Sequence, residues 1–276
     1  MATVTNSNSF NTWPPEAIEG GTITLRSGTN MTYVSDAGYT VTLRGSRFTY
    51  DDDGMGSGGT IARVIITKDG LIYAEYTGVS VDLTRAGLLL FGYDRGNGNH
   101  QSPQGNDFLQ MLLRSDDLIN GSTGRDELRG GWGNDTIFAG AGQDHVTSES
   151  GADSLDGGTD RDALSYDEAN NSIFAYRGVD LDAATGIAVD CWGFTDHFAN
   201  FEAYKDSFFN DTLKGSSLYE QFTLSRGTDL VDGRGGQDTV DYGEAVNYGA
   251  TRGVKVNLAT GIAIDSWKNT DTLISI

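Results

Sequence analysis

Aspartates fall at every ninth position between residues 117 and 162, at Asp117, Asp126, Asp135, Asp144, Asp153 and Asp162. Two residues after each stands an aliphatic: Ile119, Leu128, Ile137, Val146, Leu155 and Leu164. Six coincidences of spacing and residue type in one register, with glycines packed between them, fix the structural unit at nine residues. A more degraded array follows at Asp211, Glu220, Asp229 and Asp238, with Leu213, Phe222, Val231 and Val240 two residues on.

Each nonad divides into a six-residue turn, of ideal form Gly-Gly-x-Gly-x-Asp, and a three-residue strand, x-aliphatic-x. The clearest is Gly130-Gly131-Trp132-Gly133-Asn134-Asp135-Thr136-Ile137-Phe138. Two nonads complete one coil, so the strands are expected to stack into two parallel sheets with the aliphatics facing inward. Glycine is needed in the turns because left-handed φ values let backbone carbonyls converge. Gly124, Gly131, Gly133, Gly140, Gly142, Gly151 and Gly236 are the glycines expected at the sites. Turns alternate sides, so rungs pair between nonads n and n+2. One edge joins Asp117 to Asp135 and Asp135 to Asp153; the other joins Asp126 to Asp144 and Asp144 to Asp162. In the second array Asp211 pairs with Asp229 and Glu220 with Asp238.

Stacked coils bring equivalent aspartates about one strand spacing apart, roughly 4.8 Å, where bare carboxylates repel. A hard divalent cation resolves the repulsion, since Ca²⁺ takes about six to eight oxygens at roughly 2.3–2.6 Å. Several calcium ions are therefore the expected cofactor, with the ladder aspartates as ligands. Charge points the same way: the formal net charge is −20, and 28 of the 39 acidic residues lie beyond position 110. Such a field attracts cations and excludes nucleic acid and anionic lipid as partners.

A longer duplication overlies the short one. Gly178-Val179-Asp180-Leu181 and Ala184-Thr185-Gly186-Ile187-Ala188-Val189-Asp190 recur 75 residues later as Gly253-Val254-Lys255-Val256 and Ala259-Thr260-Gly261-Ile262-Ala263-Ile264-Asp265. Trp192 maps to Trp267 and Asp196 to Asp271 at the same offset. Upstream, Tyr39-Thr40-Val41-Thr42-Leu43 and Arg63-Val64-Ile65-Ile66-Thr67 alternate as strands do, with hairpin corners at Asp36-Ala37-Gly38 and Lys68-Asp69-Gly70. Around Asp107 to Leu113 the spacing suits one or two helical turns. The expected fold is all-β: an antiparallel β-rich N-terminal domain over 1–111, a first parallel β-roll over 112–166, a β-strand spacer over 167–208, a second roll over 209–242 and a second, truncated spacer over 243–276.

On these residues the stretch from about 112 to 276 resembles the RTX, or haemolysin-type, calcium-binding β-roll family, whose consensus is GGxGxDxUx. The spacer resembles segments that link β-roll arrays in that family, and Arg47 through Thr60 resembles a β-rich leader domain of secreted RTX proteins. Departures mark weak rungs: Ser148-Glu149-Ser150 opens one nonad, Asp160 replaces a turn glycine, and Glu220 replaces an aspartate. The resemblance implies export by a type I system, which reads an uncleaved C-terminal signal, and an extracellular or cell-surface location. An N-terminus without the basic and apolar parts of a cleaved signal is compatible, as is the aliphatic and hydroxyl stretch Thr272-Leu273-Ile274-Ser275-Ile276. The longest aliphatic block, Leu88-Leu89-Leu90-Phe91, is too short to cross a bilayer. Outside the cell, calcium lies near the roughly 10⁻⁴–10⁻³ M range of extracellular modules, so binding would drive folding by mass action.

Other chemistry finds little support. His100, His145 and His197 lack metal-protease spacing, and His145 is expected at the surface. Cys191 has Ser266 as its counterpart and is expected to be structural. Trp192 and Trp267 are expected to pack in the spacer cores, and Asp51-Asp52-Asp53-Gly54 to be a solvated corner. No Gly-x-Ser-x-Gly elbow occurs. The chain is therefore expected to be a non-enzymatic, extracellular calcium-binding structural or surface protein, with a homo-oligomer or lattice as its assembly. The alternative is an accessory module that binds carbohydrate or another cell surface through the N-terminal sheet or the Trp192 and Trp267 faces; an unrecognised hydrolase or lyase is the third class.

Overall fold

The structure, a computed structural model, describes residues 3–6, 22–34, 39–50, 56–68, 71–82, 116–167, 174–243, 249–250 and 252–276. Among them are strands and turns but no α-helix. The helical turn expected at Asp107 to Leu113, the acidic corner at Asp51 and His100 lie outside the described residues. The chain forms two compact units, Met1–Ser122 and Thr123–Ile276.

The first unit holds β1 (Thr3–Asn6), β2 (Thr22–Arg26), β3 (Asn30–Val34), β4 (Tyr39–Tyr50), β5 (Gly56–Lys68), β6 (Leu71–Asp82) and β7 (Leu118–Asn120). Strands β2 to β6 pair in succession, all antiparallel; β1 lies antiparallel to β6 and parallel to β7. The alternation read in the sequence has one face buried, in the rows Met31, Leu43, Val64 and Tyr33, Val41, Ile66 across β3, β4 and β5. Such cross-strand pairs contribute roughly 0.2–1 kcal/mol each. Lys68 pairs with Leu71, which closes the second expected hairpin over two residues.

The second unit continues with β8 (Glu127–Arg129), β9 (Thr136–Phe138), β10 (His145–Thr147), β11 (Ser154–Asp156), β12 (Ala163–Ser165), β13 (Asp180–Asp182), β14 (Ile187–Val189) and β15 (Thr195–Ala199). It ends with β16 (Ala203–Lys205), β17 (Thr212–Lys214), β18 (Gln221–Thr223), β19 (Leu230–Asp232), β20 (Thr239–Asp241), β21 (Lys255–Asn257), β22 (Ile262–Ile264) and β23 (Thr270–Ile274). One sheet is wholly parallel, in the order β8, β10, β12, β16, β18, β20. It runs unbroken through both arrays, so the two share it.

The opposite sheet carries β9 and β11 in parallel, then β15 parallel to β11 with Leu155 beside Phe198. The chain of the spacer folds back through β14 and β13, both antiparallel steps, before β17 and β19 resume the parallel stack. Strand β19 then takes β23, and β22 and β21 follow antiparallel as β14 and β13 do. The spacer thus adds a three-strand block to one sheet and only β16 to the other.

The middle residue of most short strands points inward, Val256 of β21 being an exception. Leu128, Val146, Leu164 and Phe222 on one sheet and Ile137, Leu155, Leu181, Leu213 and Val231 on the other are buried, each worth roughly 1.5–3 kcal/mol of apolar transfer. Where the spacer widens one sheet, aromatic side chains fill the space: Tyr204 lies 5.8 Å from Phe198 edge to face and is stacked 5.8 Å from Phe222.

Candidate metal centre

A repeated hydrogen bond builds both edges of the roll. The backbone N–H of one rung donates to the carboxylate of the rung one coil later: Asp126 to Asp144 Oδ1 at 2.8 Å, Asp144 to Asp162 Oδ1 at 2.8 Å and Asp135 to Asp153 Oδ1 at 2.9 Å. In the second array Asp211 donates to Asp229 at 2.9 Å and Glu220 to Asp238 at 2.9 Å. These are the n to n+2 partners expected from the spacing. Asp117 belongs to the first unit, buried just before β7.

The spacers continue the ladder with residues the nonad pattern does not mark. Asp162 donates to Glu202 Oε2 at 3.0 Å, Asp153 to Asp196 Oδ1 at 3.0 Å and Asp229 to Asp271 Oδ1 at 3.1 Å. Val179 N–H donates to Asp211 at 2.6 Å, joining β13 to the second array. The matched offset of Asp196 and Asp271 was the available signal; Glu202 had none.

The turns bring carbonyls close to the next coil. Gly131, Gly133, Gly140, Gly142, Gly151 and Gly236 adopt left-handed φ, whereas Gly124 is not among the residues with positive φ. The closeness here constrains Gly142, since a Cβ on it would lie 2.6 Å from the Gly124 carbonyl carbon. A Cβ on Gly151 would lie 1.6 Å from the Gly133 carbonyl oxygen. Asp160, standing for a glycine, takes φ 80°, a conformation that short polar residues tolerate better than most.

One oxygen of several rungs is left over. Asp144 Oδ2, Asp162 Oδ2, Asp229 Oδ2, Asp238 Oδ2 and Glu220 Oε2 are buried and accept no hydrogen bond. Burying an ionised carboxylate without compensation is expensive. Burial, the largest cause, pushes the Asp162 carboxyl up to about 7 and that of Asp229 to about 9, and the charges of Asp144 and Asp211 respectively add to it. Asp144 and Glu220 are raised by burial as well. A donor set made only of carboxylate and carbonyl oxygens suits a hard cation. Asp126, Asp144, Asp162, Glu220 and Asp238 on one edge, with Asp135, Asp211 and Asp229 on the other, are the side chains that fit calcium. Bound there, Ca²⁺ would cancel the repulsion between successive rungs.

Two rungs are satisfied differently. Ser148, in the first position of its nonad, donates to Asp153 Oδ2 at 3.2 Å and to Asp196 Oδ2 at 3.1 Å; Tyr166 adds a hydroxyl to Asp196 Oδ2 at 3.0 Å. The Asp153 carboxyl is still pushed to about 8 by burial and then by Asp196. In the second copy Tyr242 donates to Asp271 Oδ2 at 2.8 Å. Hydroxyls close one edge of each array where a spacer begins. Glu220, by contrast, keeps an oxygen without a donor, as an aspartate does at the regular rungs.

Other singled-out residues lie elsewhere. Cys191 is buried and burial pushes its thiol up to about 12, which leaves it unreactive. His145 is half-buried in β10 rather than at the surface, and burial lowers its pKa. Trp192 and Trp267 are half-buried; Trp267 faces the Arg226 guanidinium at 5.1 Å, with Phe208 on that cation at 4.9 Å.

A parallel roll edged with oxygen-lined carboxylate rungs defines a cation-binding solenoid. The RTX calcium-binding nonapeptide repeat matches the chain in four copies, over residues 114–146, 130–164, 143–173 and 222–247. The chain carries RTX calcium-binding repeats, and the matched segments contain the first ladder together with Asp229 and Asp238 of the second. Among curated proteins no relative matches it. No helix among the described residues is long and apolar enough to cross a membrane.

Proposed function

We propose that this is a non-enzymatic, extracellular structural protein, exported by a type I system, whose repeat unit folds on calcium and then assembles with further copies or on a cell surface. The observation that carries this reading is the set of buried carboxylate oxygens without donors on stacked rungs. Only a cation or protons can neutralise them, and at neutral pH outside a cell calcium is the abundant choice. Assembly draws support from the last hairpin, where Val256, Leu258, Ile262, Ile264 and Ile274 are exposed. Limited proteolysis tests the folding claim: residues 123–276 should resist cleavage in millimolar calcium and be cut rapidly in chelator. Equal cleavage in both would defeat it.

A second reading, attachment to a neutral surface glycan, is favoured by exposed aromatics. Trp132 and Phe174 stand edge to face at 6.0 Å, both exposed, and Tyr176 is exposed two residues on. Flat amphipathic rings of this kind stack on sugar faces. Glycan binding lost on Trp132→Ala, with calcium-dependent folding kept, would establish it; no binding by the wild-type chain would dismiss it.

A further inference from the structure

Gly130 and Gly233 open their nonads for a steric reason. A Cβ on Gly130 would lie 2.3 Å from Asp135 Oδ2, and one on Gly233 would lie 2.5 Å from Asp238 Oδ2. The first nonad of the second array opens on Asp206 instead, so this turn sets a second carboxylate beside its own rung aspartate. Asp206 is fully buried, and Asp206, Asp211 and Asp229 each offer an oxygen within 4.8 Å of the others.

The three side chains are held in place. Ser225 donates its N–H and hydroxyl to Asp206 at 3.0 and 2.7 Å. Asp211 takes the Val179 N–H at 2.6 Å and the Ser207 hydroxyl at 2.8 Å. Asp229, 2 % exposed, spends Oδ1 on the Asp211 N–H, while its Oδ2 has no donor at all. Three buried carboxylates in mutual reach, one with an unclaimed oxygen, call for a cation. Calcium affinity rises with ligand charge count and with rigidity, and a regular rung such as Asp126 with Asp144 brings only two carboxylates together.

We infer that Asp206, Asp211 and Asp229 form a three-carboxylate site that holds Ca²⁺ more tightly than the regular two-carboxylate rungs. Asp206 departs from the glycine of the nonad consensus and gives this chain one strong site among weak ones. It sits where β16 passes to β17, so it loads first and orders the second array ahead of the first. The inference rests on the reading of the ladders as calcium sites.

Calorimetric titration of the full chain with calcium chloride tests it. The wild type should show a tight class of about one ion, with a Kd at least about tenfold below that of a weaker class. Asp206→Gly restores the residue that opens other nonads, so the fold should survive, as circular dichroism at saturating calcium would verify. That variant should lose the tight class and keep the weak one, whereas Asp144→Asn should reduce the weak class and keep the tight one. A tight class that persists in Asp206→Gly, or a single class in the wild type, overturns the inference and leaves the ladders standing. Absence of any calcium heat overturns both.

Discussion

Asp144 takes part in two rungs at once, accepting the Asp126 N–H on Oδ1 and donating its own N–H to Asp162. Asparagine would keep both hydrogen bonds and remove the charge. Asp144→Asn should therefore raise the calcium midpoint of folding about tenfold, close to 1.4 kcal/mol, while Asp180→Asn at an exposed position should leave it unchanged; calcium titration followed by circular dichroism checks both. Gly151→Ala meets the Gly133 carbonyl and a φ of 156° at the border of the left-handed range. It should lower the melting temperature in calcium, with a cost of roughly 1–3 kcal/mol. Proton linkage supplies a third expectation. Folded carboxyls of Asp162, Asp153 and Asp229 titrate at about 7, 8 and 9 against an ordinary 3.8, so the folded state binds more protons than the unfolded one between about pH 4 and 9. Without calcium, stability should fall as pH rises through that window. Chelated protein should gain β signal on going from pH 8 to 5; a loss of signal on that path would contradict the assignment.

At the scale of the element, the spacer turns a parallel stack back on itself, and hydroxyl donors end one edge of each array. Tyr166→Phe leaves Asp196 Oδ2 with Ser148 alone and should cost roughly 1–3 kcal/mol, read as a lower melting temperature in calcium. Tyr176→Phe, at an exposed ring, should not. The nonads were legible in the sequence because their period is local: a rung at Asp126 implies one at Asp144 through a fixed spacing. The spacer was legible as a duplication but not as a wall of the roll. Glu202 meets Asp162 from 40 residues away, and the count of inserted strands depends on how β13 to β15 fold back, which no short-range pattern records. Ser148 was readable as a departure from glycine; that it hydrogen-bonds Asp153 depends on the folded turn.

Over the whole molecule, the duplication shows what a strand edge of this roll accepts. Leu181 is fully buried where β17 pairs with β13, whereas its counterpart Val256 is 50 % exposed and β21 pairs only with β22 among the described residues. If copies associate through this face, Val256→Lys should abolish calcium-dependent oligomers in sedimentation velocity without altering folding. The central claim is that oxygen-lined ladders make the fold conditional on calcium, and far-ultraviolet circular dichroism of the whole chain tests it most directly. The chelated protein should lack much of the β signal at neutral pH and regain it cooperatively with millimolar calcium; superimposable spectra in chelator and in calcium would contradict the account.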